Sequence, residues 1–321
     1  MDTLYTLFKK DIVELQKYIT YTDKKIRESE DQYLHSLYKK KIDYKIVIIS
    51  LYGYLELYIS SLIKSYLEIL ENNIFSYNFF SPTLKAKHLF NSISLSNKIL
   101  EKKGTKYENI NVELVIDNLN SCIRDTNYSF NKDAFIIHTG NLKHQKVCDL
   151  FKDLNINLSF LLNNHDNYVN QTSENKFFII DDLVDRRNEI SHGDTDNLLN
   201  LDGLKDYISF VDEYIRIIKD LLKVDIQEKT LNYKLENSLL LEQVQVFPNK
   251  VLGILDKKLS INKRKHLIII KTDKEVHISK IIDKNKHAIG TSLKLEKNLR
   301  KTFKYYLFNK ELYKNKSLNF F

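Results

Sequence analysis

IVIISLYGYLELYISSLI, residues 46–63, is the stretch whose reading decides the fold. It is long enough to span a bilayer. Yet Glu56 stands within it, Ser50, Gly53, Ser60 and Ser61 interrupt it, and tyrosines are spread through its middle. A carboxylate at mid-bilayer is costly. The stretch therefore reads as a central helix buried by neighbours on most sides, within a segment from about Asp43 to Asn72.

The rest of the chain supports a mainly helical reading. Hydrophobic residues make up 43% of 321, enough for a proper core. Seven glycines and two prolines are few breakers for this length, so long uninterrupted helices are expected. Leu4, Leu7, Phe8, Val13 and Leu15 open an amphipathic run. After Ser81–Pro82 comes a looser region with short helical patches, such as Lys143–Ile156. A further helix is expected over Glu174–Ile190 with Ser173 as N-cap. A last long one runs from Leu201 to Val224, with Tyr207, Phe210, Val211, Tyr214, Ile215, Ile218 and Leu222 on its apolar side.

Charge divides the chain. Residues 227–321 hold 21 Lys+Arg against 9 Asp+Glu, a net of +12, whereas residues 1–226 hold 29 against 33, a net of −4. The apolar period changes in the same region. VQVF (244–247) alternates, VLGIL (251–255) is short and β-rich, and His266–Ile282 reads as two strands joined by a Thr-Asp-Lys turn. The expectation is a helical domain over 1–226, then a small basic β-rich domain over 227–321 with a Lys- and aromatic-rich tail. Lys257, Lys258, Lys263, Arg264 and Lys265 would form its polyanion-binding cluster, and Phe303, Tyr305, Tyr306 and Phe308 would stack on unpaired bases. The bland alternative is that these lysines keep a small domain soluble and the aromatics fill its core.

Several function classes drop out. There is no Walker A loop and no GxGxxG. Cys122 and Cys148 stand in no CxxC and are too few for a disulfide scaffold, which fits a reducing cytosol. The opening MDTLYTLFKKDIVEL lacks the basic start and apolar core of a signal peptide, so a cytoplasmic protein with no membrane partner is expected. His138, His144 and Cys148 hint at a metal, but no further ligand has convincing spacing, and a buried thiol with surface histidines is the simpler expectation. His165-Asp166 lies in an Asn-rich loop and reads as unremarkable.

RRNEISHG (186–193) carries the chemistry. As a plain helix end, Gly193 supplies a left-handed C-cap and His192 favours the negative end of the dipole. As a site, Arg187 is a permanent cation whose fork of donors suits phosphate oxygens. His192 can exchange a proton near neutral pH. Asn188 is four residues before His192, on the same helical face. Arg187 and His192 are five apart, roughly 140° round an ideal helix, so a fraying end before Gly193 would be needed to turn them together. These are the groups required to cleave RNA without a metal: the 2′-OH loses a proton, the phosphorane charge is stabilised, and the leaving oxygen is protonated.

Arg-Asn-x3-His-Gly resembles the Rx4–6H motif of the HEPN superfamily. The preceding FFIIDDLV is similar to that family's signature, SLYGYLELYISSLIKSYL to its long second helix with a glutamate where Glu56 stands, and FIIHTGNLKHQKVCDLFKDLNI to the "GN" segment of the RiboL-PSP-like branch. The resemblance covers roughly residues 40–225 and leaves the β-rich part unassigned. It implies an all-α bundle that dimerises, two motifs meeting in one cleft, and metal-independent endoribonuclease activity needing no cofactor. Such proteins serve as toxins or antiviral effectors, so an antitoxin or defence-system protein is a further expected partner besides RNA. By the same resemblance Arg187 would orient the scissile phosphate, His192 would transfer protons or stabilise the transition state, and Asn188 would position one or both. Glu56 would support the motif or be a paired buried carboxylate, and Arg186 would be a phosphate contact or a surface residue. The alternatives are a non-catalytic module binding RNA or a partner, and a DNA-binding regulator.

Overall fold

A computed structural model of the chain describes residues 1–31, 35–101, 109–137, 140–170, 176–193 and 197–236, and backbone stretches within 239–309. Two compact units are distinguished: Met1–Glu71 with Ser76–Asp225, and Asn72–Phe75 with Ile226–Phe321. The first is helical, and it carries the motif.

Helix α1 (Asp2–Glu28) buries Phe8, Ile12, Leu15 and Ile19, spaced four, three and four apart, which places them on one stripe. Leu7, expected in that stripe, is 48% exposed because it falls outside this spacing. Asp2 in the first turn and Lys25 and Arg27 in the last suit the helix dipole. The stripe lies on α2 (Leu37–Asn73): Phe8 and Tyr58 meet edge to face at 4.6 Å, and Tyr18 Oη donates to Asp43 at 2.6 Å. Low residue numbers of α1 meet high ones of α2, so the two run antiparallel.

Helix α2 is the buried centre that residues 46–63 promised. Val47, Ile48, Leu51, Leu55, Ile59 and Ile63 have no exposed surface. Over Lys39–Asn73 it is long and apolar enough to cross a membrane, and half of its apolar window is buried inside the protein. The inner helix of a bundle has the same composition.

Ser81–Pro82, expected as a break before a looser region, instead starts a regular helix, α3 (Pro82–Leu100). Ser81 Oγ accepts the Leu84 N–H at 3.3 Å and Pro82 takes the first helical position, where its missing donor costs nothing. Shorter helices follow: α4 (Val112–Ile123), α5 (His144–Asp153), α6 (Leu158–Asn163) and α7 (Asp166–Val169). His165, from the Asn-rich loop, caps α7 by accepting the Asn167 N–H at Nδ1. Among them His88 is fully buried, stacked on Phe135, with Nε2 accepting the Asn131 N–H at 2.9 Å and Nδ1 2.9 Å from Tyr77 Oη.

Helix α8 (Phe178–His192) starts later than expected, and Ser173 lies outside the described residues. Helix α9 (Leu201–Glu236) continues past the expected end at Val224. Ile226, Thr230 and Tyr233 are buried at helical spacing beyond Leu222, and no Gly or Pro interrupts residues 225–236. Tyr5 donates to Asp212 at 3.0 Å and Tyr66 to Asp225 at 2.6 Å, tying α1 and α2 to α9. Of the expected basic cluster, Lys257, Lys258, Lys263, Arg264 and Lys265 lie outside the described residues, as do the side chains of 237–321.

Candidate functional site

The whole RRNEISHG segment sits on the last turns of α8 and its cap. Ile180, Leu183, Val184 and Ile190 form the buried side of this helix. Arg187 is seven residues after Ile180 and continues that side, so a cation emerges half-buried where an apolar residue would have been covered. Its guanidinium carbon lies 5.1 Å from the centre of the Tyr52 ring on α2, and its Nη1 donates to Asn188 Oδ1 at 3.0 Å. A cation over an aromatic face is attracted by the ring quadrupole. Asn188 thus acts on Arg187 directly.

Tyr52 is the residue that sequence reasoning missed. It is four before Glu56, so the two share a face of α2. Burial, and next the negative charge of Glu56, push its phenol up. The backbone N–H groups of Leu142 and Asn141, and then the Arg187 charge, work the other way. Leu142 N–H approaches its oxygen at 3.5 Å. One tyrosine therefore touches the Gly-Asn segment and Arg187 together, within the field of the Glu56 charge. The signal was present, since Tyr52 and Glu56 both lie in the quoted helix, but only tertiary contact singles out this tyrosine among its neighbours.

His192 is exposed at the end of α8. The helix stays regular to that residue, and Gly193 caps it at φ 89°, donating its N–H to the carbonyls of Glu189 and Ile190. A Cβ would find open space there, so it is the left-handed backbone that calls for glycine. The frayed end expected to swing His192 toward Arg187 is therefore absent from this helix. Arg187 leans on α2, while His192 leaves the helix roughly 140° round the axis. Ser191 Oγ donates to the Arg187 carbonyl at 2.9 Å.

Arg186 corrects an expectation. It is 8% exposed, neither a surface residue nor placed as a phosphate contact. It pairs with Asp182 one turn earlier and donates through Nη1 to Tyr44 Oη at 3.2 Å and to the Asn197 carbonyl at 2.7 Å. Burial alone would lower its pKa; the bonds to Tyr44, Tyr207 and Asp182 outweigh that and raise it. Tyr207 Oη also donates to Asp182, which locks α8 to α9. Arg186 is an anchor for the helix that presents Arg187.

His144 is likewise no surface residue. It stacks on Phe177 with ring centres 3.9 Å apart, and its Nδ1 lies 3.0 Å from Tyr214 Oη. Cys148 is buried beside it, with burial pushing the thiol up to about 12. His138 lies outside the described residues. Among the described residues no group of His, Cys, Asp and Glu is arranged to hold a metal ion.

The arrangement offers an oriented guanidinium for an oxyanion and a solvent-open imidazole at one helix end. The model of the RiboL-PSP-HEPN family matches residues 8–224, a span that takes in α1 as well as the region from residue 40 onward. No curated protein and no solved structure matches the chain.

Proposed function

Since the chain belongs to the RiboL-PSP-HEPN family, we propose that it is a metal-independent endoribonuclease of the Rx4H type, with Arg187, Asn188 and His192 as its catalytic group. The observation that carries this is Arg187 itself, half-buried and directed by the Tyr52 face and the Asn188 amide, with no carboxylate paired to it among the described residues. In the proposed reaction the ribose 2′-OH attacks the adjacent phosphorus and the bond to the 5′-oxygen breaks. The products are a 2′,3′-cyclic phosphate and a 5′-OH end. Arg187 stabilises the charge on the phosphorane, and His192 transfers the proton. Asn188 holds Arg187, and Glu56 acts through Tyr52.

The divergence of Arg187 and His192 around α8 supports a two-copy site. In this reading a homodimer brings the two motifs into one cleft, so that the cation and the imidazole facing one phosphate come from an assembled pair. Residues 227–321 are proposed as a basic β-rich domain that holds RNA. Backbone stretches His266–Lys271 and Val276–His287, paired antiparallel, support the strands, and the net +12 supports a polyanion partner. A toxin or antiviral defence role in the cytoplasm, with an antitoxin or defence-system partner, completes the proposal.

The same divergence favours a second reading, a non-catalytic RNA-binding module, for any state in which the chain is monomeric. RNA and DNA oligonucleotides incubated with the full-length protein in EDTA separate the readings. The enzyme cuts RNA and leaves DNA intact. Binding of RNA without cutting supports the module, and selective DNA binding would support a regulator instead.

A further inference from the structure

The segment after the motif and the start of α2 enclose a cavity of about 440 Å³ in the helical unit. Leu198, Leu199, Leu201 and Leu204 give it an apolar wall, and Tyr44 stands beside them. Small-molecule sites commonly occupy roughly 300–1,000 Å³. The walls are tied down. Arg186 Nη1 donates both to Tyr44 Oη and to the carbonyl of Asn197, next to Leu198.

Asp43 also lines the cavity and is only 3% exposed. Its Oδ1 is occupied, accepting from Tyr18 Oη at 2.6 Å and from Lys39 Nζ. Its Oδ2 is buried with no hydrogen-bond partner among the described residues. A buried carboxylate oxygen without a donor is costly, and native structures rarely leave one so. Among the described residues, the other charged groups lining the cavity are Lys40, which is exposed, and Asp202, which is bound to Lys205 at 2.9 Å. Neither supplies the missing donor to Oδ2.

We propose that this cavity binds a small apolar molecule carrying a cationic N–H donor, an amine or an amidine. Asp43 Oδ2, otherwise closed off, turns outward to meet the ligand's N–H, and the ligand's hydrocarbon body lies on the leucine wall. A cation is favoured over a neutral donor because a charge-assisted bond to a carboxylate is the stronger. The site is separate from the Arg187 chemistry and does not depend on that activity.

Phenethylamine and benzamidine test it, with uncharged phenethyl alcohol as the control, by calorimetric titration and thermal unfolding of the full-length protein. The expected result is saturable binding of at least one cation with a rise in Tm. The alcohol should bind about tenfold more weakly, the scale of one charge-assisted hydrogen bond. Leu199→Trp fills the cavity from a half-buried wall position without touching Asp43. It should abolish binding while the circular dichroism spectrum stays native. Asp43→Asn should bring amine and alcohol to similar affinities. Failure of both cations to bind, equal binding of the alcohol to the wild type, or undiminished binding in folded Leu199→Trp would overturn the proposal.

Discussion

Arg187 and Tyr52 are 5.1 Å apart, guanidinium carbon to ring centre, and this pair couples the motif helix to the buried central helix. The ring orients the cation, and the phenol oxygen meets the backbone of Leu142. The aromatic face should therefore matter more than the hydroxyl. Tyr52→Phe is expected to keep RNA cleavage within about threefold. Tyr52→Leu should lower it about tenfold, matching roughly 1.4 kcal/mol of lost cation–π orientation. Initial rates on one RNA substrate, normalised to folded protein, check this. Equal rates for the two variants would detach Tyr52 from the site.

Two adjacent arginines should part ways on mutation. Arg186 is anchored to Asp182, Tyr44 and Asn197. Arg186→Ala leaves Asp182 and Tyr44 without that cation and should cost about 3 kcal/mol in urea unfolding. Arg187→Ala removes a half-buried residue bonded to its own neighbour, so it should cost less than about 1 kcal/mol while lowering cleavage by about 10²-fold or more. Reversed effects would exchange the roles assigned to them.

That contrast also shows what the sequence could tell. Residues 46–63 announced a buried helix because their apolar content leaves few other places for them, and Gly193 announced a helix end because the left-handed cap is a local property. Arg186 was illegible, since an Asp182–Arg186 pair four residues apart looks the same in sequence whether it is solvated or buried. Tyr52 was illegible because its role is a meeting of α2, α8 and the 140–142 segment. Ser81–Pro82 was read as a break, although the same two residues serve as N-cap and first helical position. The end of α9 was placed at Val224, where the apolar side was followed only as far as Leu222, although the buried spacing continues through Ile226 and Tyr233.

One buried imidazole, His88, and one half-buried one, His144, predict an acid-sensitive fold. Burial lowers the pKa of His88 to about 4; burial does the same to His144, against a smaller opposing pull from Asp181. The unfolded value is about 6.5. Below pH 6.5 the unfolded chain takes up protons that the folded chain refuses until about pH 4. The stabilisation is thus complete above 6.5 and is lost as pH falls from 6.5 to 4, by about 3 kcal/mol for His88 alone. Urea midpoints at pH 7, 5.5 and 4.5 should fall in that order, and the decline should be shallower in His88→Gln. A flat profile would contradict a neutral buried His88.

On α2, Ile46, Ile49, Gly53 and Leu57 are exposed and recur every three or four residues as one stripe. A Cβ at Gly53 would meet nothing within 4 Å. Gly53→Ala should therefore stabilise the folded chain by about 0.5–1 kcal/mol through helix propensity. Leu57→Glu should leave the fold intact and weaken the proposed dimer by at least about tenfold, about 1.4 kcal/mol of lost apolar contact. Light scattering across a concentration series measures this; an unchanged dimer in Leu57→Glu would move the interface elsewhere.

The central claim is that Arg187 and His192 drive attack by a ribose 2′-OH with no metal. The most direct measurement is end-group analysis of an RNA oligonucleotide, and of its copy with a 2′-deoxyribose at each cleaved position, after incubation with wild type, Arg187→Ala and His192→Ala in EDTA. The account predicts 2′,3′-cyclic phosphate ends from the all-ribose substrate and no cutting at the deoxy positions. It also predicts rates at least about 10²-fold lower in both variants. Cutting of the deoxy copy, or wild-type rates in His192→Ala, would contradict it.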